Sequence, residues 1–78
     1  MNTTFERLRA VIIDTLGIEE SQVQLTSHYQ NELKCDSLDL AELQFHTEKA
    51  FGVDIPDAIA ESQQTVQETV TYLDSLRK

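Results

Sequence analysis

Apolar residues recur at helical spacing in three stretches of the chain, and a long segment between the first two keeps no period at all. Phe5, Leu8, Ile12 and Leu16 fall three and four residues apart, with Val11 and Ile13 widening the stripe, which predicts a helix over about 4–16. Thr3 is placed to cap it, with Glu6 completing a capping box, and Gly17 follows the last periodic residue as a C-terminal cap. From Ile18 to Cys35 neither helix nor strand period is sustained. Val23, Leu25, Tyr29 and Leu33 read as scattered anchors of a long loop, with a short helical turn expected inside it. A loop of this length in a small domain is often functional.

A second helix is predicted over 37–51, closed by Gly52. At about 100° per residue, Leu40, Leu43, Gln44, Thr47, Ala50 and Phe51 share the core side, while Leu38, Ala41, Glu42, Phe45 and Lys49 share the other. Two polar residues on the inner stripe and two large apolar ones on the outer make an unusual surface helix. An exposed apolar strip edged with carboxylates points to a protein partner.

Val53-Asp54-Ile55-Pro56-Asp57 reads as an extended connector, since proline biases the residue before it away from helix. A short helical turn is expected from Asp57 through Ala60. Thr65-Val66-Gln67-Glu68 is a second capping box opening a last helix, with Val66, Val70, Leu73 and Leu76 as its buried stripe. Arg77 and Lys78 suit the negative end of that helix. The pattern therefore predicts an all-α fold: one domain over 1–78, a small four-helix bundle of three longer helices and one short one, with the long loop between helices 1 and 2.

Charge narrows the partners. The chain has 6 basic and 14 acidic side chains, for a formal net charge of −8. Such a surface repels phosphate backbones and anionic lipid, so neither nucleic acid nor membrane insertion is expected, and it attracts basic patches on other proteins. The single cysteine, Cys35, has no intrachain partner, and no Cys/His cluster marks a metal site. Glu42 and His46, four residues apart, would supply only two ligands. The start of the chain lacks the apolar run of a signal peptide, and no stretch reaches the length of a membrane span, so the expectation is a soluble cytoplasmic monomer.

Chemistry converges on Ser37. As a nucleophile it would need a base in reach and a group to orient that base. His46 lies about two and a half turns up the same helix, and His28, in the loop, comes without a G-x-S-x-G elbow. Cys35 with His28 is equally unsupported. Asp36-Ser37 is also a good helix start in its own right. Helix capping leaves the outer apolar strip unexplained, whereas a group attached to Ser37 by another enzyme accounts for both. A helix N-terminus stabilises a phosphodiester; Asp39, Glu42, Glu48, Asp54 and Asp57 would surround it with readable charge, and Leu38, Ala41 and Phe45 would supply apolar contact.

Leu33-Lys34-Cys35-Asp36-Ser37-Leu38-Asp39-Leu40 together with Phe51-Gly52-Val53-Asp54-Ile55-Pro56-Asp57 closely resembles the acyl carrier proteins, and Thr65-Val66-Gln67-Glu68 resembles the start of their last helix. The resemblance, to a discrete and specialised carrier, covers nearly the whole chain. It implies that Ser37 carries a 4'-phosphopantetheine arm installed from coenzyme A, with Asp36 flanking it. It also implies that the protein is a non-catalytic carrier whose cargo is held as a thioester on the arm. Leu38, Asp39, Ala41, Glu42, Phe45 and Glu48 would dock partners, and Leu40, Leu43, Gln44, Thr47 and Phe51 would line the acyl cavity. The partners implied are a phosphopantetheinyl transferase and the acyltransferase, ketosynthase, reductase and dehydratase enzymes of fatty-acid or polyketide-type synthesis, each with a basic docking patch.

Five positions depart from the family. Lys34 stands where it usually has glycine, which would cost on the order of 1 kcal/mol if the backbone keeps a positive φ, and it adds a cation near the arm's phosphate. Cys35 is either a buried thiol or an exposed one open to mixed disulfides. Gln44 and Thr47 replace aliphatic cavity residues and need hydrogen-bond partners, which implies a smaller or more polar cavity, short or oxidised cargo, and a dedicated secondary pathway. Lys49, on a normally acidic helix, reads as an i,i+4 partner or a solvated charge. Competing readings are an aminoacyl or peptidyl carrier, against which Cys35-Asp36-Ser37 and the net charge argue, and an acidic helical adaptor with no prosthetic group.

Overall fold

The computed structural model describes residues 3–76, which form four helices: α1 (Thr3–Leu16), α2 (Ser37–Phe51), α3 (Asp57–Ser62) and α4 (Val66–Ser75). A 3₁₀ turn at Glu20–Gln22 interrupts the loop between α1 and α2, as its length suggested. The described residues are a small helical bundle without strands; the one β-type pairing is an isolated bridge between His28 and Thr65.

Helix α1 buries Leu8 and Ile12 on the expected stripe. Thr3 is its first residue and not its cap, so the cap position lies outside the described residues. Thr4 instead becomes a buried tie, donating to Asp74 Oδ1 on α4 at 2.5 Å. Gly17 ends the helix at φ +67°, with its N–H on the Ile13 carbonyl at 2.8 Å. Gly52 does the same for α2 at φ +65°, on the Glu48 carbonyl. Beside it, the Arg7 guanidinium donates to the Ala50 carbonyl at 2.6 Å and lies 4.4 Å from the Phe51 ring centre, placing a cation where the α2 dipole is negative.

The long loop is fastened to α4. Backbone N–H groups of Val66 and Gln67, at the start of α4, donate to the carbonyls of Ser27 and Leu25 at 3.0 and 2.9 Å. The Tyr29 N–H donates to the Gln64 carbonyl at 3.0 Å. The Thr65–Glu68 capping box satisfies the donors that are left. Each helix-end donor thus finds a partner, and the loop acquires a fixed path without secondary structure of its own. Val23, Tyr29 and Leu33 are buried as anchors, Leu25 is half-buried, and the Tyr29 and Thr69 hydroxyls share a buried hydrogen bond of 2.6 Å.

Where the loop turns toward α2, Lys34 adopts φ +59°, the one non-glycine residue with positive φ among those described. Its side chain is exposed while Leu33 and Cys35 on either side are buried, so the left-handed kink is what lets both neighbours reach the core. Burial decides the state of Cys35: with Asp39 and Asp36 nearby, it pushes the thiol up to about 11, disfavouring the reactive thiolate.

Two stripe residues are not where periodicity put them. Ala50 is exposed, and Leu76 is 41% exposed at the end of α4; the last turn of a helix overhangs the core it packs on. Arg77 and Lys78 lie outside the described residues.

Replacing Lys34 by glycine removes the left-handed penalty without losing packing, so Lys34→Gly should raise stability by about 1 kcal/mol. Urea unfolding reads this directly, and an unmoved midpoint would mean the kink carries no strain. Burial of Tyr29 pushes its phenol from 10.0 up to about 12. Groups whose folded pKa is raised contribute stability at lower pH and lose it through deprotonation. The fold should therefore weaken between about pH 9, where unfolded Cys35 starts to ionise, and pH 12, with a Tyr29 share on the order of 2 kcal/mol. Tyr29→Phe should flatten the part of that loss above pH 10 in pH-resolved thermal melts, at a cost near neutrality of about 1 kcal/mol for the Thr69 hydrogen bond.

Candidate functional site

Asp36 and Asp39 build the start of α2 between them. The Asp36 carboxylate accepts from the Asp39 N–H at 2.9 Å, and the Asp39 carboxylate accepts from the Asp36 N–H at 3.3 Å, a capping box made of two aspartates. Asp36 is therefore the cap and Ser37 the first helical residue. That division removes the reading of Ser37 as helix furniture. Ser37 is exposed, its hydroxyl makes no hydrogen bond within the described residues, and the free N–H groups of the first turn lie beside it.

Among the described residues no base serves Ser37. The His28 ring Nδ1 faces the backbone N–H groups of Gln30 and Asn31 at 3.3 and 3.4 Å, and His46 Nδ1 pairs with the Thr15 hydroxyl across α1 and α2 at 3.2 Å. Both histidines are committed to local structure. Among the described residues no group of three or more His, Cys, Asp or Glu side chains could hold a metal ion, which leaves Glu42 and His46 a two-ligand pair.

Ser37 stands on the wall of a cavity of about 350 Å³. Leu40, Leu43, Gln44 and Thr47 line it as their inward face predicted, joined by Tyr29, Thr69 and Tyr72, and by Ile55, Ala60 and Gln63 from the connector and α3. Phe51 does not take part; its ring is half-buried at the far end of α2 under Arg7. Gln44 is satisfied as a half-buried amide must be, its Nε2 donating to the Ile55 carbonyl at 2.8 Å and to Asp57 Oδ1 at 3.0 Å. The same bonds tie the connector to α2. Sequence reasoning missed Gln63, Thr69 and Tyr72 because they reach the cavity from segments distant along the chain, a juxtaposition that no local period encodes.

The outer face of α2 is as unusual as its pattern implied. Leu38 is 67% and Phe45 55% exposed, with Ala41 and Glu42 exposed between them. The remaining carboxylates of this strip are committed. Asp39 is held in the capping box, and half-buried Glu48 accepts from the Ile55 N–H at 2.6 Å. Lys49 forms no ion pair among the described residues; its ammonium lies 5.3 Å from the Phe45 ring centre, one turn back. The ion pair found among the described residues is Arg9–Glu20, at 3.5 Å on another face.

A family model described as the phosphopantetheine attachment site matches residues 6–73. The group implied is covalently attached 4'-phosphopantetheine, and the role implied is a carrier's and not a catalyst's. The residues present fit it: an exposed, uncommitted serine hydroxyl on the first turn of a helix suits a phosphodiester, and the adjoining cavity suits what the arm carries. No described helix is long and apolar enough to cross a membrane. With nearly its whole length matched, the chain belongs to the phosphopantetheine attachment-site family of carrier domains.

Proposed function

We propose that Ser37 is the residue bearing the 4'-phosphopantetheine arm and that the chain is an acyl carrier, holding intermediates of fatty-acid or polyketide-type synthesis as thioesters. One observation carries this reading: the free Ser37 hydroxyl at the first turn of α2 borders the 350 Å³ cavity. In the attachment step the Ser37 oxygen would displace the 3',5'-adenosine bisphosphate of coenzyme A from the pantetheine phosphorus and give up its proton. The transferase would supply the base, since none of the described residues offers one to Ser37. The cavity walls Leu40, Leu43, Ile55 and Ala60 favour acyl over aminoacyl cargo, and the polar side chains between them suit a short or oxygenated chain in a dedicated secondary pathway.

Partners would dock on the outer strip of α2, with Leu38 and Phe45 as apolar anchors and Glu42 as the free carboxylate among them. The net charge of −8 would speed encounter with basic patches on the transferase and on acyltransferase, ketosynthase, reductase or dehydratase enzymes.

Incubation with coenzyme A and a broad-specificity phosphopantetheinyl transferase should add the mass of one 4'-phosphopantetheine, and Ser37→Ala should abolish the gain while leaving the fold intact. A gain that persists in Ser37→Ala would move the attachment elsewhere, and no gain in the parent would favour the adaptor reading. Glu42→Lys should slow association with the transferase several-fold at low salt, with the difference shrinking as salt screens it. Its melting temperature should not change. Glu48→Lys should instead lower stability, because it strips the Ile55 N–H of its acceptor.

A further inference from the structure

Lys34 stands apart from the other cations of the chain. Arg7 lies over Phe51 and bonds the Ala50 carbonyl, Arg9 lies over Phe5 and pairs with Glu20, and Lys49 lies over Phe45. Exposed Lys34 makes no hydrogen bond, ion pair or ring contact with the described residues. It is also held at φ +59°, a conformation that glycine would adopt without penalty. Between Arg9 and Lys49 the sequence has no other lysine or arginine. The segment around Ser37 therefore carries one cation, and that cation is uncommitted. The start of α2, by contrast, is already acidic. The N–H groups of Asp36 and Asp39 are spent on each other's carboxylates, so two negative charges occupy the positive end of the helix dipole. The Ser37 and Leu38 N–H groups are the ones left open there among the described residues. A phosphodiester on Ser37 adds a third negative charge within a single turn, and like charges so close repel.

We infer that Lys34 is the counter-ion of the arm, its ammonium pairing with the phosphodiester on Ser37 and offsetting Asp36 and Asp39. Reach permits this on any local path. Three residues separate Cα atoms by at most roughly 10 Å, and bonds of about 1.5 Å carry a lysine nitrogen on the order of 6 Å and a serine-linked phosphate oxygen about 4 Å from their own Cα atoms. Both side chains lie on the solvent side, since Leu33 and Cys35 take the inward places between and beside them. The left-handed backbone then has a use: glycine would relax the kink but leave the crowded anions without a cation. A lysine suits this place as a compact point charge on a flexible stem, able to follow a phosphate at the surface. The pairing rests on attachment of the arm at Ser37, as proposed above.

Competitive acetylation of the lysine amines, read by peptide mass spectrometry, compares the full chain before and after the arm is attached, with Lys49 as internal reference. An ammonium held by a phosphate gives up its proton less readily and labels more slowly. At low salt, attachment should slow labelling of Lys34 relative to Lys49 by about two- to fivefold, the scale of an exposed ion pair. The difference should largely vanish in about 1 M salt, where the screening length falls to about 3 Å. Equal labelling of the two forms would overturn the inference. So would slowing that salt does not lift, which would be cover by the arm and not charge. The phosphorus resonance of the attached arm gives a second readout. Lys34→Gln keeps a side chain on the left-handed backbone but loses the charge, and should shift that resonance, while Lys34→Arg should restore it. A resonance indifferent to Lys34→Gln would overturn the pairing as well. An intact mass that shows no arm, or an arm that persists in Ser37→Ala, is a different failure and strikes the Ser37 reading instead.

Discussion

The clasp between the long loop and the start of α4 is the constraint on which the rest of the molecule depends. A segment running from Ile18 to Asp36 with one 3₁₀ turn cannot satisfy its own backbone, and the first turn of α4 cannot satisfy its own N–H groups. Each supplies what the other lacks: the Ser27 and Leu25 carbonyls take the Val66 and Gln67 donors, and the Gln64 carbonyl takes that of Tyr29. The buried Tyr29–Thr69 hydrogen bond then fixes the same two segments through their side chains. Because the loop is held there, it reaches Lys34 on a set course, and the kink at that residue can seat Leu33 and Cys35 inward and deliver Asp36 as a cap. Ser37 is left in the open by a chain of fixations that begins about ten residues earlier.

Capping chemistry then separates duties that the sequence left together. Aspartate or serine could each have capped α2. With Asp36 and Asp39 engaged reciprocally, the Ser37 hydroxyl has no structural task, which is the condition a residue must meet if another enzyme is to modify it without unfolding anything. Lys34 marks the strain that this approach to α2 tolerates, a non-glycine residue at φ +59° two residues before the cap.

Helix positions, the long loop with its short turn, both glycine caps and the Thr65–Glu68 box were legible because each follows from local pattern or local backbone chemistry. The inverted polarity of α2 was legible too, since a period of 3.6 sorts Gln44 and Thr47 inward and Leu38 and Phe45 outward whatever the tertiary context. What pattern could not convey is where a flexible side chain spends its hydrogen bonds. Glu48 and Glu42 look alike along the sequence, yet one accepts from Ile55 and the other is exposed. Phe51 belongs to the inner stripe by angle, but the cavity ends before it and Arg7 covers it instead. Gln63 carries no signal at all: it closes a six-residue helix amid other polar residues, and its place on the cavity wall is set by the tertiary fold.

The two faces of α2 also explain how so small a chain reconciles a stable core with an open one. Leu8 and Ile12 on α1, Val66, Val70 and Leu73 on α4, and Val23 from the loop form a close-packed side in which α2 is represented by Leu43. Helix α2 can therefore give up hydrophobic burial on its other positions, placing amide and hydroxyl groups toward the cavity and leucine and phenylalanine toward solvent. The apolar area left exposed by Leu38 and Phe45 is a cost that the proposed docking would recover. The polar groups turned inward need partners of their own, and Gln44 finds them in the connector that closes the cavity, so cavity lining and connector are held by the same hydrogen bonds. Anything that enters the cavity acts on groups that also position Ile55 and α3. Occupancy and the shape of this end of the bundle are thereby coupled through a handful of named bonds, with α4 sharing the cavity wall through Thr69 and Tyr72.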